Sequence, residues 1–274
     1  MDRSGGRKMI ELPYDSFSAV AHLFTPKKQL IPAIAVIRGN YPGRVFVDHL
    51  QRPHVAVVWA TGRWMYLLGE VTTAQQKTSI KQFMQDKVIC DCRKQKKNWF
   101  EIYTSDSKHL DNFFLKEIDK LRVDKHYESV YRLNVEKFLQ VLRANCHERS
   151  DVNFKFETFD ILPKGGSSNR KNSAELKKTV GVVVKRGDTV ISIAKNNGFI
   201  FGKEYFIDID TLIVEERRKG YATLAAIKLI SYFLEKNMLP LWETAENNIA
   251  SKKLAFKLGF EPIDTYPVFE FKIK

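Results

Sequence analysis

Short apolar runs separated by polar turns predict a series of strands in the first part of the chain. Residues 44–47 and 55–59 are almost wholly apolar and are joined by a polar turn that contains Pro53, and residues 64–68 form a third run. Apolar runs of this length between turn residues are typical of strands. We therefore predict a three-stranded meander over residues 43–69.

Two later segments of the first half repeat their apolar residues at helical spacing instead. Residues 108–121 place Leu110, Phe113 and Ile118 on one side of a helix, and residues 135–145 show the same pattern. An apolar stripe of this kind is buried against a core. The first half therefore mixes strands with helices.

The second half opens with another group of predicted strands. Residues 152–157 alternate strictly between apolar and polar, and strands are expected at 180–185, 190–194 and 205–214. The likeness between this meander and the one at 43–69 leaves open two alternatives, a distant internal repeat or a coincidence of pattern.

The last third alternates helices with strands. Helices are predicted at 223–236 and 248–258, the second ended by Gly259, and strands at 240–244 and 268–273. A run of strands followed by helix, strand, helix and strand indicates an α+β domain with a mixed sheet.

We place the domain boundary near Ser150, just before the alternating strand. This gives an N-terminal α/β domain over residues 1–149 and an α+β domain over residues 150–274. Residues 163–178 are rich in Gly, Ser, Asn and Lys and are predicted to form a loop.

Composition narrows the class of protein only slightly. The formal net charge of +13 favours polyanionic partners, such as a nucleotide cofactor or nucleic acid, or simply supports solubility. The charges are spread along the chain with no basic-aromatic surface, so nucleic acid is not favoured. Three cysteines without metal-ligand spacing indicate a reducing, cytoplasmic setting. We expect no membrane partner, because no apolar run approaches the ~18 residues of a membrane span, and no signal peptide.

The most informative segment is a basic turn between a predicted strand and a predicted helix: Arg217, Arg218, Lys219, Gly220, Tyr221 and Ala222. A helix start presents unpaired backbone N–H groups and partial positive charge, and glycine lets a ligand approach the backbone closely. Such a turn suits a pyrophosphate. The alternative is a charged strand-to-helix turn with no ligand.

The turn and the helix after the next strand resemble motifs of the GNAT superfamily of CoA-dependent N-acyltransferases. Arg217, Gly220 and Ala222 match its cofactor loop, Arg/Gln-x-x-Gly-x-Gly/Ala. Asn248, Ser251 and the pair Gly259-Phe260 match its following helix. Residues 240–260 resemble more particularly a two-domain subgroup that includes proteins similar to the zwittermicin A resistance acetyltransferase. The two-domain glycine N-acyltransferases match less well.

The resemblance implies an acyltransferase that uses acetyl-CoA or another acyl-CoA as co-substrate, a small amine as acceptor and no metal. The amine attacks the thioester directly. The residues implied to contact the cofactor are Leu212, Ile213, Val214, Arg217, Arg218, Lys219, Gly220, Tyr221, Ala222, Thr223, Asn248 and Ser251. Asn248 has the alternative role of a helix N-cap.

Three carboxylates are candidates for the general base. Asp208 and Asp210 share one face of the predicted strand before the turn, and Glu243 lies on the next strand. The alternative is that all three are solvated surface charges. Many relatives place a Tyr general acid seven residues after the Asn, where this chain has Ala255. Tyr221, Tyr232 or water are the alternatives for that role.

Two hypotheses of function remain open at this point. One is an N-acetyltransferase whose first domain helps to form the acceptor site, so that residues 150–274 alone bind acetyl-CoA but lose amine specificity. The other is a degenerate module of the same fold that binds CoA as a sensor or scaffold without turnover.

Overall fold

The structure, a computed structural model, describes residues 8–24, 27–104, 110–118, 121–145, 149–161 and 178–273. By their contacts the residues form two units. Unit 1 consists of Met1–Glu128 and Tyr266–Lys274, and unit 2 of Ser129–Thr265. In the described part of the chain no helix is both long and apolar enough to span a membrane.

Unit 1 has a mixed sheet with its helices packed against it. Its strands are β1 (Ile10–Glu11), β2 (Gly43–Val47), β3 (Val55–Ala60), β4 (Met65–Gly69), β5 (Trp99–Thr104) and the start of β6 (Leu121–Leu133). Its helices are α1 (Ile31–Ile37), α2 (Ala74–Phe83), α3 (Ile89–Lys94) and α4 (Leu110–Lys116), with 3₁₀ segments at Tyr14–Leu23 and Lys28–Leu30. A π-helical stretch, Met84–Val88, makes α2 and α3 continuous.

The strands β1 to β4 are antiparallel neighbours, and β5 lies parallel to β4. One face of this sheet carries alternate apolar side chains such as Val57 and Ile102, which pack against Phe83, Val88 and Phe113 of the helices. Apolar burial of this kind contributes about 1.5–3 kcal/mol for each large side chain.

Unit 2 contains the predicted cofactor segment. Its elements are α5 (Val135–Ala144), β7 (Asn153–Asp160), β8 (Lys178–Arg186), β9 (Thr189–Phe201), β10 (Glu204–Thr211), α6 (Tyr221–Leu234), β11 (Leu239–Ala245), α7 (Ile249–Lys257) and the start of β12 (Phe260–Ile273). The strands β7 to β10 are antiparallel neighbours, and β11 is parallel to β10.

Helix α6 packs mainly on β8 and β9, with a pair of small residues at the contact. Ala225 and Ala226 let the helix approach β8 and β9 closely, and Leu229, Ile230 and Phe233 fill the core beyond them. All five side chains are buried. This packing fixes where the N-terminus of α6 lies at the end of the sheet.

The two units share one order of elements. Four antiparallel strands are followed by a long helical segment, a strand parallel to the fourth, a short helix and a final strand, in β1–β6 and again in β7–β12. The second half of β12 pairs with β5 inside unit 1. The shared order supports the internal-repeat alternative.

The structure differs from the sequence predictions in several places. The units do not coincide with a division at residue 150, because Leu133 and Phe138 are buried in the core of unit 2. The helix predicted to residue 121 ends at Lys116, and the strand predicted to residue 214 ends at Thr211, after which Val214–Glu216 forms a 3₁₀ turn. Most of the loop predicted at 163–178 lies outside the described residues.

Candidate cofactor and active site

The turn before α6 adopts a left-handed backbone at two positions. Gly220 is the N-cap of α6 with φ 90°, and Arg218 has φ 64°. A left-handed conformation costs a non-glycine residue roughly 1–2 kcal/mol, so the turn holds strain at Arg218 and requires glycine at 220. A Cβ on Gly220 would meet no atom within 4 Å. The space above this backbone is therefore open to a ligand, as the sequence indicates.

The N-terminus of α6 has no side-chain cap in the described structure. By contrast, Thr73, Asn134 and Asn248 accept hydrogen bonds from the first amides of α2, α5 and α7. The first backbone N–H groups of a helix lack partners within the helix and carry about half a positive charge. Of these four N-termini, that of α6 is the one best prepared to bind an anion.

Five cations surround this turn, two of which the sequence reasoning missed. Arg149 donates to the carbonyl of Lys219 at 2.7 Å, and Arg186 pairs with Glu216 at 2.9 Å. Lys219 pairs with the same carboxylate at 3.3 Å. Arg149 and Arg186 are far from the turn in sequence, so only the fold brings them there.

Arg217 and Arg218 complete the group. Arg217 donates through Nε to the carbonyl of Thr211 at 3.2 Å, and Arg218 is exposed, with no ion pair in the described part of the chain. Glu216 offsets part of the positive charge that the sequence assigns to the turn. Arg218 therefore remains the cation of the turn most available to a phosphate.

Tyr221 anchors the turn through its side chain. The ring is buried, its hydroxyl donates to Asp151 Oδ2 at 3.0 Å, and Arg186 donates to that hydroxyl at 2.6 Å. The hydrogen-bonded guanidinium of Arg149 lowers the pKa of Asp151 to about 2, so this carboxylate stays ionised at neutral pH. The Tyr221 hydroxyl is thus engaged in hydrogen bonds within the protein. The group of Tyr221 that the turn leaves for a ligand is its backbone amide.

The two parallel strands of unit 2 pair only at their beginnings. The register joins Glu204 to Leu239, Tyr205 to Pro240 and Phe206 to Leu241, whereas β10 continues to Thr211 and β11 to Ala245. The structure describes every residue of both strands, and beyond Phe206 and Leu241 none of them pairs with the other strand. The gap between the unpaired ends of the two strands, called the cleft below, lies at the end of β10 that leads into the turn before α6.

A bulge in β9 accounts for this parting. Between Tyr205 and Ile207 the pairing on β9 moves from Ile200 to Asn196, so β9 carries two extra residues. The buried amides of Asn196 and Asn197 accept from the N–H groups of the second residue after each, at 2.8 and 3.0 Å. Bulges bend and twist a strand locally. This bend falls at the position where β10 leaves β11.

Two of the three candidate bases occupy equivalent positions on the parting strands. Asp208 and Glu243 each follow the last paired residues, Phe206 and Leu241, by two positions, so both lie on the same face as that pair. Both are half-buried. Asp210 shares the face but is exposed and lies two residues farther along β10. The register thus favours Asp208 and Glu243 over Asp210.

The motif residues of α7 are engaged inside the protein. Asn248 is the N-cap of α7 and accepts from the Ser251 amide at 3.1 Å. Ser251 Oγ accepts from the indole N–H of Trp242 at 2.9 Å, which ties α7 to the core side of β11. The N-cap role of Asn248 is therefore observed, and contact with a cofactor stays a prediction for both residues.

Ala255, which stands where many relatives have a tyrosine, is fully buried in the core of unit 2. A tyrosine from a different element lies against the same helix: the ring of Tyr131, at the end of β6, meets Phe256 at 5.6 Å between centroids. Burial raises the pKa of Tyr131, so it carries its proton at neutral pH. Nothing in a single sequence links residue 131 to this helix, so the sequence reasoning missed it.

The three residues before the turn are arranged differently from one another. Leu212 and Val214 are exposed, while Ile213 packs against the core. The Leu212 amide still donates to the carbonyl of Ile191 at 2.8 Å, so the chain follows β9 for one residue beyond β10. Ala222 and Thr223 form the first turn of α6, with Thr223 buried. Leu212 is thus exposed through its side chain, while its amide is held by β9.

Comparison with known proteins gives one family and a set of similar structures. A family model described as GNAT acetyltransferase matches residues 21–269. A GCN5-related N-acetyltransferase-like protein from Streptococcus suis is 19% identical, with a TM-score of 0.64 over 94% of this chain and 99% of the other. A tandem GNAT protein from the clavulanic acid biosynthesis pathway is 11% identical, with a TM-score of 0.60 over 97% and 98%.

A GCN5-related N-acetyltransferase from Sphaerobacter thermophilus is 10% identical, with a TM-score of 0.55 over 97% of this chain and 95% of the other. No curated protein sequence gives a significant match. At these identities the structures establish the fold, and the family rests on the match over residues 21–269.

Proposed function

The chain belongs to the GNAT acetyltransferase family, whose members transfer an acyl group from acyl-CoA, and from this premise we propose that it acetylates a primary amine of a small molecule. One observation carries the proposal: an uncapped helix N-terminus lies beside two parting parallel strands that carry carboxylates on one face. The first feature suits the diphosphate of CoA, and the second suits proton removal from an ammonium group.

The cofactor is proposed to bind with its diphosphate at the turn 217–222. The amides at the start of α6 would donate to the phosphate oxygens, and Arg218 would add a cation without an ion pair of its own. The acyl arm would then enter the cleft past the exposed residue Leu212. The contacts assigned to Arg217 and Lys219 would be electrostatic, because their side chains already have partners in the protein.

Asp208 or Glu243 is proposed as the base that removes a proton from the acceptor ammonium. The neutral amine would attack the thioester carbonyl directly and form the C–N bond. The C–S bond then breaks, and the nitrogen gives its second proton to solvent, from which Tyr131 regains the proton that it donates. Tyr131 is proposed to return a proton to the leaving thiolate, in place of the tyrosine that Ala255 replaces. Each proton transfer of this type is worth about a hundredfold or more in rate.

Because Asp208, Glu243 and Asp210 lie on one face of the two strands, substituting each in turn tests which carboxylate is the base. The assay is CoA thiol release with a panel of small primary amines, for wild type and for Asp208→Asn, Glu243→Gln and Asp210→Asn. We expect a loss of about a hundredfold in kcat for Asp208→Asn or Glu243→Gln, with the Kd for acetyl-CoA unchanged, and little change for the exposed Asp210→Asn control. Equal rates for all four proteins between pH 6 and 9 would place the base elsewhere.

The rival hypothesis, a CoA-binding sensor or scaffold, is supported by the alanine at 255 and predicts binding without release of thiol. The expectation that residues 1–149 help to select the acceptor stays a prediction.

We also propose a reducing, cytoplasmic location, supported by the free thiols of Cys90, which is exposed, and Cys92, which is buried.

A further inference from the structure

The turn between β2 and β3 in unit 1 gathers three potential metal ligands. One donor atom from each of Asp48, His49 and His54 lies within 4.8 Å of the other two. Asp48 Oδ2 is 3.3 Å from His49 Nδ1 and 3.7 Å from His54 Nδ1. A carboxylate and two imidazoles are a common ligand set for zinc and neighbouring divalent metals.

The carboxylate of Asp48 is held in position by its second oxygen and by a neighbouring helix. Oδ1 accepts from the backbone amides of His54 at 2.9 Å and Val55 at 3.1 Å, and Gln76 of α2 approaches Oδ2 at 3.4 Å. The Asp48 side chain is 6% exposed. Hydrogen bonds of this kind orient a metal-binding carboxylate.

The spacing of the donors fits a small ion with few ligands. Zinc binds nitrogen at about 2.0–2.1 Å and carboxylate oxygen at about 2.0–2.2 Å, so neighbouring ligands in a tetrahedral site lie about 3.3–3.5 Å apart. The two distances from Asp48 Oδ2, 3.3 and 3.7 Å, lie at or near this range, and the third, between the two histidines, is within 4.8 Å. The two imidazole rings stand at 90° to one another with centroids 5.4 Å apart.

Asp48, His49 and His54 line a cavity of about 1070 Å³, although His49 Nδ1 itself is buried. The residues that line the cavity include two cations, Lys27 and Arg52, and two carboxylates, Asp48 and Glu70. Their formal charges cancel, so charge does not exclude a cation. A fourth coordination position would face this cavity and take water or an anionic ligand.

The cavity also borders the N-terminus of α2. In the shared order of elements, α2 holds the place in unit 1 that α6 holds in unit 2. At the N-terminus of α2, Thr73 and Gln76 form a capping box that satisfies the helix amides. The same place in the second repeat is open to phosphate, so the capping box disfavours a second diphosphate site in unit 1.

We propose that Asp48, His49 and His54 form a binding site for a divalent transition-metal ion of the zinc type, with one position open to the cavity. The alternative reading is that Asp48 only fixes the turn through its hydrogen bonds and the histidines bind no ion. The proposal departs from the sequence-based expectation of a protein without metal and does not depend on the acyltransferase reaction.

Metal binding by the full chain tests the proposal. The protein is stripped with EDTA and titrated with Co²⁺, whose visible absorption is strong in four-coordinate sites, and then with Zn²⁺ in competition. We expect one ion per chain, and a loss of affinity of about a hundredfold or more in the double variant His49→Ala/His54→Ala. His126→Ala, a histidine of unit 1 outside the cluster, is the control and should bind as wild type does.

A second variant guards against loss of the fold. Asp48→Asn keeps an oxygen that can accept the two backbone hydrogen bonds but removes the charge, and it should weaken Co²⁺ binding while leaving the melting temperature of the stripped protein nearly unchanged. No binding by wild type, or equal affinity in the double variant and the His126→Ala control, would overturn the site.

Discussion

Replacing Gly220 by alanine separates the two roles that the structure gives this residue. The left-handed backbone at φ 90° should cost alanine roughly 1–2 kcal/mol, and no collision adds to this because a Cβ meets nothing within 4 Å. For a protein of this size each kcal/mol lowers the melting temperature by about 2–4 °C. We therefore expect a fall of about 2–8 °C in Tm without acetyl-CoA.

Gly202 provides a matched control. It lies in the turn between β9 and β10, has φ 60°, and a Cβ there also meets nothing within 4 Å. Gly202→Ala should therefore lose a similar amount of stability. It is not part of the turn before α6, so its affinity for acetyl-CoA should equal that of wild type.

The two variants should differ in binding. In Gly220→Ala the added methyl group occupies the space from which a phosphate would reach the first amides of α6. We expect the Kd for acetyl-CoA, measured by isothermal titration calorimetry, to rise at least about tenfold, which is about 1.4 kcal/mol. At a ligand concentration of about 100 times the wild-type Kd, binding stabilises wild type and Gly202→Ala by about 2.7 kcal/mol. A tenfold higher Kd reduces this to about 1.4 kcal/mol, so Gly220→Ala should show about half of their thermal shift or less. Equal Kd values for the two alanine variants would refute the assignment of the phosphate turn.

Three further outcomes follow from the contacts. Tyr131→Phe should lower kcat about a hundredfold and leave the Kd for acetyl-CoA unchanged, measured by thiol release and calorimetry; an unchanged kcat would return the role of acid to water or another group. Burial and the nearby Glu128 raise the pKa of Glu101 from 4.5 to about 7, so the folded state disfavours its ionised form and stability falls as pH rises from about 4.5 to 7. Denaturant titration should thus find Glu101→Gln more stable than wild type at pH 8, by up to about 3 kcal/mol, but little changed at pH 4, and the same gain at both pH values would exclude this cause. A fragment of residues 150–274 lacks Leu133 and Phe138 of the unit 2 core, so circular dichroism should find it unfolded, contrary to the expectation from sequence that it binds acetyl-CoA.

Local patterns predicted the elements that carry strong periodicity or clear end signals. Helix α7 is one case, since Asn248 caps its start and Gly259, at φ 89°, follows its end as the sequence indicates. Helix α6 is another, because its apolar stripe is continuous. The turn before it was recognised from its glycine and its position between strand and helix.

The features missed are those that depend on tertiary contacts. The bulge in β9 is signalled in the sequence only by the polar stretch Lys195-Asn196-Asn197-Gly198 between two apolar runs, and its effect on the separation of β10 from β11 depends on pairing across three strands. The 13-residue strand β6 was not predicted, since its middle is polar. Arg149, which precedes β7, contacts Lys219 of the turn before α6 across 70 residues of chain.

The division of the chain into two units could also not be predicted from the hydrophobic pattern. The last strand, β12, is 14 residues long, and its second half pairs with β5 of unit 1. No local signal marks the point near Tyr266 where the strand passes from one unit to the other. Hydrophobic periodicity locates elements, but it does not state which strands lie side by side.

Transfer of an acetyl group to an amine can be measured directly by mass spectrometry. Wild type and Gly220→Ala are each incubated with acetyl-CoA and a panel of small primary amines, and both CoA and acetylated amine are quantified. The account predicts equal amounts of CoA and N-acetylated product from wild type for at least one class of amine, and a much lower rate at limiting acetyl-CoA for Gly220→Ala. Tight binding of acetyl-CoA with no acetylated amine from any member of the panel would contradict it and favour a CoA-binding module without turnover.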